Sequence, residues 1–383
     1  LEPADTKITA FATQGSCGEQ VLDDELRLRT LLERFPAQFL RFDRAHKLES
    51  FLGVLKSLAR ERPDLVVMEG TGIGGGAAVL AARALFKTRY VLSSGDAVGP
   101  FMRSALPAAY PLFALYEWLL CRFASGFVGW SPYMTGRGLT LGAPVAMTAP
   151  GWAPFPRAPA DAARARARVR RMLGIPEPAL VFGIAGSLAW TERVGYCYGL
   201  ELVRALPFAL ERQDLHVIVL GDGAGRPRLE ALANGDLRGR VHLPGRVPRL
   251  EVPDYLAALD VATLPQSVDG LGSFRYTTKL SEYLSASLPV VTNQIPLAYD
   301  LPGDWAFRLP GRSPWDPVFI ESLGQLMKTV TLQEIAEKRS ETARALPLFE
   351  RAPQVERFTE FILELCEASS DSPRNSETSM KSR

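Results

Sequence analysis

Histidine is scarce in this chain. There are three in 383 residues, His46, His216 and His242, far apart in sequence. Cysteine is scarce too, and Cys17, Cys121, Cys197 and Cys366 show no metal-ligand spacing. No metal centre is expected from either residue type. The thiols read as reduced, mostly core-filling groups of a cytoplasmic protein. His216 and His242 fall at strand starts, where a structural role is expected. An excess of one charge is also missing: 44 Lys and Arg against 42 Asp and Glu leave a formal net charge of +2. No bulk field therefore steers the chain to nucleic acid or to an anionic membrane. Nor does any run approach the roughly 20 apolar residues of a membrane span. The most apolar helix pattern, residues 111–123, carries Glu117 and Arg122 and reads as a core helix. Peripheral contact with the inner face of a membrane is the lesser reading of it. The start reads as polar residues and then a strand at 8–13, not as a signal peptide.

Hydrophobic residues make up 47% and charged residues 22%, as in a soluble globular protein. The length favours two domains over one core. Strand and helix patterns alternate throughout, which predicts parallel sheets covered by helices on both faces. In the first half, strands are expected at 7–13, 39–42, 64–69, 90–94, 126–130 and 145–148. In the second half they are expected at 180–185, 216–220, 241–243, 261–264, 289–292 and 306–309. Residues 162–172 read as an Arg/Ala helix. Its Arg166, Arg168, Arg170 and Arg171 point around the axis without interleaved aromatics, so a solvated linking helix is expected rather than a nucleic-acid patch. Two successive doubly wound units imply a cleft, with ligands beyond the carboxyl ends of strands.

The stretch 265–293, PQSVDGLGSFRYTTKLSEYLSASLPVVTN, carries the most information. Lys279 and Glu282 stand at i and i+3 on one helix face. A Gly-bearing loop with Thr277 and Thr278 precedes them, and an apolar strand follows. A cation and backbone N–H groups suit phosphates, and a carboxylate suits sugar hydroxyls. The plain alternative is a surface ion pair. Two more strand-end loops in the same half bear glycine: Gly186-Ser187, and Gly221-Asp222-Gly223-Ala224-Gly225. Glycine lets backbone N–H groups approach phosphate closely. An ordinary strand-to-helix turn is the plain reading of the second loop.

The segment TKLSEYLSASLPVVT resembles the donor-binding helix and following strand of family-four GT-B glycosyltransferases. The segments VIVLGDGAGRPRLEAL and VHLPGRVPRLEVPDYLAALDVATLP resemble that family's second-domain strands. The resemblance implies an α/β, GT-B fold: two doubly wound Rossmann-like domains facing across a cleft. The expected division is an acceptor domain at 1–152, a linker and helix at 153–172 and a donor domain at 173–346. A closing helix at 347–368 and a disordered tail at 369–383 complete it.

The resemblance also implies transfer of a sugar from a nucleoside diphosphate sugar to an acceptor hydroxyl, with retention, without a metal and without a cofactor. Glu282 matches the second of the family's two glutamates. Phe274 stands where the first is expected, and Asp269-Gly270 is its nearest substitute. Arg246 and Val247 are expected to meet the nucleobase through their backbone. Where the family carries basic residues after the first strand of this domain, this chain has Ser187 and Tyr198. The diphosphate role therefore passes to Arg193 and Lys279. The transfer partners are a nucleotide-sugar donor and a carbohydrate or lipid-linked acceptor.

In the first half the same resemblance directs the strand-end loops to the acceptor: Gly15, Ser16 and Gly18 after the first strand, Glu69-Gly70 after the third, and Asp96 after the next. In relatives a His often stands near the position of Asp96. Asp96 could accept a sugar hydroxyl, act as a base, or cap a turn. One rival reading comes from Gly72, Gly74 and Ala77, which satisfy dinucleotide-binding spacing between a strand and a helix. A sugar-nucleotide epimerase or phosphorylase, or a protein that binds a nucleotide sugar without turnover, would use the same donor loops.

Overall fold

The computed structural model describes residues 3, 6–17, 20–275 and 277–370. The chain divides into two compact units. One joins residues 1–151 to the C-terminal segment from Arg351, and the other runs from Trp152 to Glu350.

The first unit is built on β1 (Ile8–Ala12), β4 (Gln38–Phe39), β5 (Leu65–Glu69), β6 (Tyr90–Ser94), β7 (Gly126–Gly129) and β8 (Ala146–Thr148). They form one parallel sheet in the order β4-β1-β5-β6-β7-β8. Strands β1, β5, β6 and β7 are buried along their whole length, as expected of a parallel sheet covered on both faces. A two-residue antiparallel ladder, β2 (Ser16–Cys17) with β3 (Gln20–Val21), closes the loop after β1.

The second unit repeats the plan with β9 (Leu180–Ala185), β10 (Leu215–Leu220), β11 (Val241–Gly245), β12 (Val261–Leu264), β13 (Val290–Asn293) and β14 (Ala306–Leu309). Its parallel order is β11-β10-β9-β12-β13-β14. In the first sheet β1 lies between β4 and β5, and in the second β9 lies between β10 and β12, so strand order reverses beside β1 and beside β9. Such a switch point opens a crevice at the carboxyl ends of the strands. It directs attention to the loops after β1 and β5 in one unit, and after β9 and β12 in the other.

Three expectations need correction. The second strand is shorter than residues 39–42, because only Gln38 and Phe39 pair with β1. The arginine-rich helix Pro159–Leu173 is solvated on one side only, and Ala165, Val169 and Arg170 are buried on the other. Arg170 is fully buried and binds Asp260 Oδ2 at 2.8 Å and the carbonyls of Ala258, Glu177 and Ala179 at 2.7–3.0 Å. Arg166 holds the other oxygen of Asp260 at 2.8 Å, and Arg168 reaches Asp254 at 2.7 Å. Guanidinium forks that meet carboxylates two by two can be buried where lone charges cannot. Finally, the helix Arg351–Ser370 belongs to the first unit. Gln354 exchanges hydrogen bonds with Gly151, at 2.9 and 2.7 Å, and Phe361 and Leu365 lie where a side chain at Gly126 would project. That helix takes in Ser369 and Ser370; the rest of the expected tail, and Gly18, lie outside the described residues.

Candidate functional site

In the second unit the glycines at the ends of β9 and β10 let two loops touch. Gly221 has φ of 141°, and a Cβ there would stand 1.8 Å from the Gly186 carbonyl oxygen. At Gly223, with φ of 154°, a Cβ would stand 2.5 Å from the Leu188 carbonyl carbon. Hydrogen bonds from Leu188 N to Asp222 O (3.0 Å) and from Gly225 N to Leu188 O (2.8 Å) lock the pair. Only glycine adopts these conformations without strain. The Gly221 N–H is donated to the Gly245 carbonyl (3.0 Å), which ties in β11 just before Arg246 and Val247.

Lys279 enters this place from the helix Thr278–Ser285. Its Nζ stands 4.3 Å from the centroid of the Tyr198 ring. A Cβ on Gly186 would lie 2.8 Å from Lys279 Cε and 3.1 Å from the Tyr198 ring. The ammonium is therefore held at the Gly186 backbone by an aromatic face rather than by a carboxylate. Thr277 caps the same helix, and its hydroxyl oxygen is buried with no hydrogen-bond partner. A cation, a helix N-terminus and an unpartnered hydroxyl thus meet beside a glycine backbone, a set suited to an anion.

Tyr198 is supported from behind. Its ring meets Tyr196 edge-on at 6.4 Å, and Tyr196 packs on Trp315 at 5.2 Å. The Tyr196 hydroxyl donates to Glu201 Oε2 (2.9 Å), and Thr263 donates to Oε1 (3.1 Å). Burial pushes the Glu201 carboxyl up to about 7, against the pull of those hydrogen bonds.

Glu282, one turn on from Lys279, lies on the wall of a cavity of about 310 Å³ within this unit. The mainly apolar wall also includes Pro154, Phe155, Arg249, Val252 and Leu256. Asp269 has a local role. Its Oδ1 accepts the N–H groups of Leu271 and Gly272, both at 2.8 Å, and so shapes the turn after exposed Gly270. Gly272 is packed so tightly on Ser267 that a Cβ would fall 2.0 Å from its carbonyl. Ser187, Arg193 and Arg246 are exposed. Arg193 sits in a turn closed by the bridge between Thr191 and Tyr196.

In the first unit Glu69 is 1% exposed and is the hub of a polar cluster. It accepts from Arg27 (2.5 Å), Ser93 (2.8 Å) and the Trp130 indole (3.0 Å). Arg27 also donates to the Ala149 carbonyl and lies 4.4 Å from the Trp130 ring centroid. Burial lowers the affinity of this guanidinium for its proton despite the adjacent carboxylates. Asp24, on the first turn of the helix Asp23–Leu31, joins the cluster. Burial first, then the charges of Glu69 and Asp96, push its carboxyl up to about 7. Asp96 is exposed, in a turn where its N–H is donated to Ser94 Oγ (3.2 Å). It does not cap the next helix, whose N-cap is Ala97.

Gly15 and Ser16 do not form an open turn. Both are buried, and the Ser16 hydroxyl donates to the Phe42 carbonyl (3.1 Å). Gly70, at φ 83°, presses on Thr13. The glycine run of the dinucleotide reading serves close packing. Side chains of Thr13, Phe42 and Tyr116 fill the space beside Gly72, Gly74 and Gly76, and the Tyr116 hydroxyl donates to the carbonyls of Thr71 and Gly72.

Sequence reasoning missed Tyr198 as the partner of Lys279, and it missed Asp24, Arg27 and Glu201 altogether. Tyr196-x-Tyr198 was the visible hint, since two aromatics at a strand-end loop form a platform.

The fold and this site define a class, the GT-B proteins. Residues 179–313, within the second unit, match the family described as glycosyl transferases group 1. A stretch of 107 residues is 33% identical to the 2-deoxystreptamine glucosyltransferase of Streptomyces kanamyceticus and covers 27% of this chain and 27% of that protein. Two solved structures extend the likeness to 94% of this chain and the whole of each counterpart. HepE of Anabaena, in complex with UDP and glucose, has a TM-score of 0.68 at 17% identity. The sucrose-phosphate synthase of Thermosynechococcus elongatus has 0.69 at 13%. The chain is a GT-B-fold protein that resembles the family-four glycosyltransferases, and the stretch that matches the group 1 transferases includes Lys279 and Glu282.

Proposed function

We propose that the protein is a glycosyltransferase that moves a sugar from a nucleoside diphosphate sugar to an acceptor hydroxyl, with retention and without a metal. The observation that carries this reading is the seating of Lys279 on Tyr198 beside Gly186, at a helix N-terminus with an unpartnered Thr277 hydroxyl. When the anomeric bond breaks, negative charge accumulates on the leaving diphosphate. Lys279 and the N–H groups of the first helical turn, beside the Gly186-Ser187 and Gly221–Gly223 loops, stabilise that charge at fixed positions. The reacting sugar becomes oxocarbenium-like, as in glycoside chemistry generally.

Glu282 is assigned the ribose hydroxyls, and the backbone at Arg246-Val247 the base. Thr278, Asp269 and Gly270 complete the donor loop, with Asp269 acting through the turn it shapes. Arg193 supplies a second cation for the diphosphate. The first unit is assigned the acceptor, a carbohydrate or lipid-linked alcohol, at the loop ends beside Gly70 and Asp96, with buried Gly15, Ser16 and Glu69 supporting those loops from beneath. Asp96 acts there on the acceptor hydroxyl. UDP in HepE and the glucosyl transfer named for the Streptomyces relative support a nucleotide-sugar donor.

The test is calorimetry of the chain against UDP, GDP and their glucose and mannose derivatives, followed by nucleotide release on a panel of acceptors. Submicromolar to micromolar binding of one nucleoside diphosphate, lost in Lys279→Ala, is the expected result. Binding of NAD(P)H alone would overturn the reading. Nucleotide release without a new glycoside would point to an epimerase or hydrolase on the same scaffold.

A further inference from the structure

The helix expected in the core at 111–123 buries only Glu117, Leu120 and Cys121, and it leaves an apolar face on the surface of the first unit that the proposed reaction does not use. The helices Val98–Ala105 and Tyr110–Phe123 pack against each other and are joined by a short turn. On their outer side Phe101, Leu106, Leu112, Leu115, Trp118 and Phe123 are each 42–67% exposed. Leu112, Leu115, Trp118 and Arg122 follow one another at intervals of three, three and four, so they form one stripe along the second helix. A helix of a water-soluble domain ordinarily turns the opposite way, with this kind of stripe inward.

Charge on this face has one sign. The single acidic residue between 98 and 123 is Glu117, and it is turned inward. Arg137 grips it with two bonds of 2.7 Å, and the Gly99 N–H is donated to it at 2.9 Å. The exposed charges that remain on these two helices are Arg103 and Arg122. Neither helix is long and apolar enough to cross a membrane. A contiguous apolar patch with a tryptophan and basic residues alone suits the boundary between acyl chains and anionic headgroups.

We propose that this face seats the first unit on an anionic lipid surface. Leu112, Leu115 and Trp118 enter the acyl boundary while Arg103 and Arg122 reach lipid phosphates. The apolar stripe supplies most of the binding, and the two guanidinium groups select anionic over neutral lipid. This inference does not depend on the reaction proposed above.

Co-sedimentation of the full chain with vesicles tests it, using phosphatidylcholine alone and phosphatidylcholine with about one third phosphatidylglycerol. The wild type is expected to pellet with the mixed vesicles. The double variant Leu115→Ser/Trp118→Ser should bind them about tenfold less or weaker still. Arg103→Gln/Arg122→Gln should lose the preference for phosphatidylglycerol. Leu48→Ser, at a 72%-exposed leucine on the helix Lys47–Glu61, should bind as wild type does. Because all of these side chains are exposed, unchanged melting curves identify each variant as folded. A wild type that stays in the supernatant overturns the proposal. So does a dimer that Leu115→Ser/Trp118→Ser dissolves without any vesicle binding, which would make the face a contact between copies.

Discussion

The ammonium of Lys279 lies 4.3 Å from the centre of the Tyr198 ring, and among the described residues no carboxylate pairs with it. A lysine paired with a carboxylate would offer a diphosphate little net charge. One parked on a ring keeps its full charge and its freedom to turn toward a ligand. Lys279→Ala is therefore expected to weaken nucleoside diphosphate binding by roughly 100-fold. Tyr198→Phe, which keeps the ring, should bind within about threefold of wild type, and Tyr198→Ala should lose about tenfold. Calorimetry of the three variants reads this directly; equal losses for Phe and Ala would shift the role to the phenol hydroxyl.

Glu282 should matter through sugar hydroxyls rather than phosphate. Wild type is expected to prefer a ribonucleoside diphosphate to its 2′,3′-dideoxy analogue by about tenfold or more. In Glu282→Gln that preference should shrink, mainly through loss of the ribonucleotide. A variant that discriminates as well as wild type would place the ribose elsewhere.

Asp24 gives a pH signature. Its carboxyl is raised from 3.8 to about 7, so the folded state holds a proton that the unfolded state has released. A raised pKa contributes stability that is complete below the unfolded value and is lost as pH climbs through about 7. Asp24→Asn keeps a neutral side chain at every pH. It should therefore be more stable than wild type at pH 8, by about 1–3 kcal/mol, and no more stable at pH 3.5. Urea melts at the two pH values decide the matter, and a loss of stability confined to pH 8 would show that Asp24 stabilises the fold as an anion.

Gly221 is expected to tolerate no side chain. With φ at 141° and the Gly186 carbonyl 1.8 Å from a Cβ, Gly221→Ala should cost roughly 2–4 kcal/mol in urea melts. Gly136, which faces open space within a helix, is the control: Gly136→Ala should be neutral or stabilising.

The two sheets were legible because a strand buried on both faces is written as an unbroken apolar run, as in Leu65–Glu69 and Leu215–Leu220. The glycines at 186, 221 and 223 and the pair Lys279 and Glu282 were legible because each lies within a few residues of a strand end. Contacts across long separations were not. Nothing local pairs Arg27 with Glu69, 42 residues on, or Arg170 with Asp260, 90 residues on. The arginine helix read as solvated for that reason: its carboxylates stand on later elements. Asp24 was invisible for the same cause, since its raised pKa comes from burial and from carboxylates at 69 and 96.

The helix Arg351–Ser370 completes a unit that began at the other end of the chain. During synthesis the segment from Trp152 to Glu350 emerges whole, before the first unit has its last helix. The seat that Phe361 and Leu365 occupy over Gly126 stays uncovered until then. The usual order of folding, N-terminal part first, is thereby reversed for the final step. A fragment that stops at Gly151 should expose that seat and aggregate, whereas residues 152–350 carry their whole sheet with them.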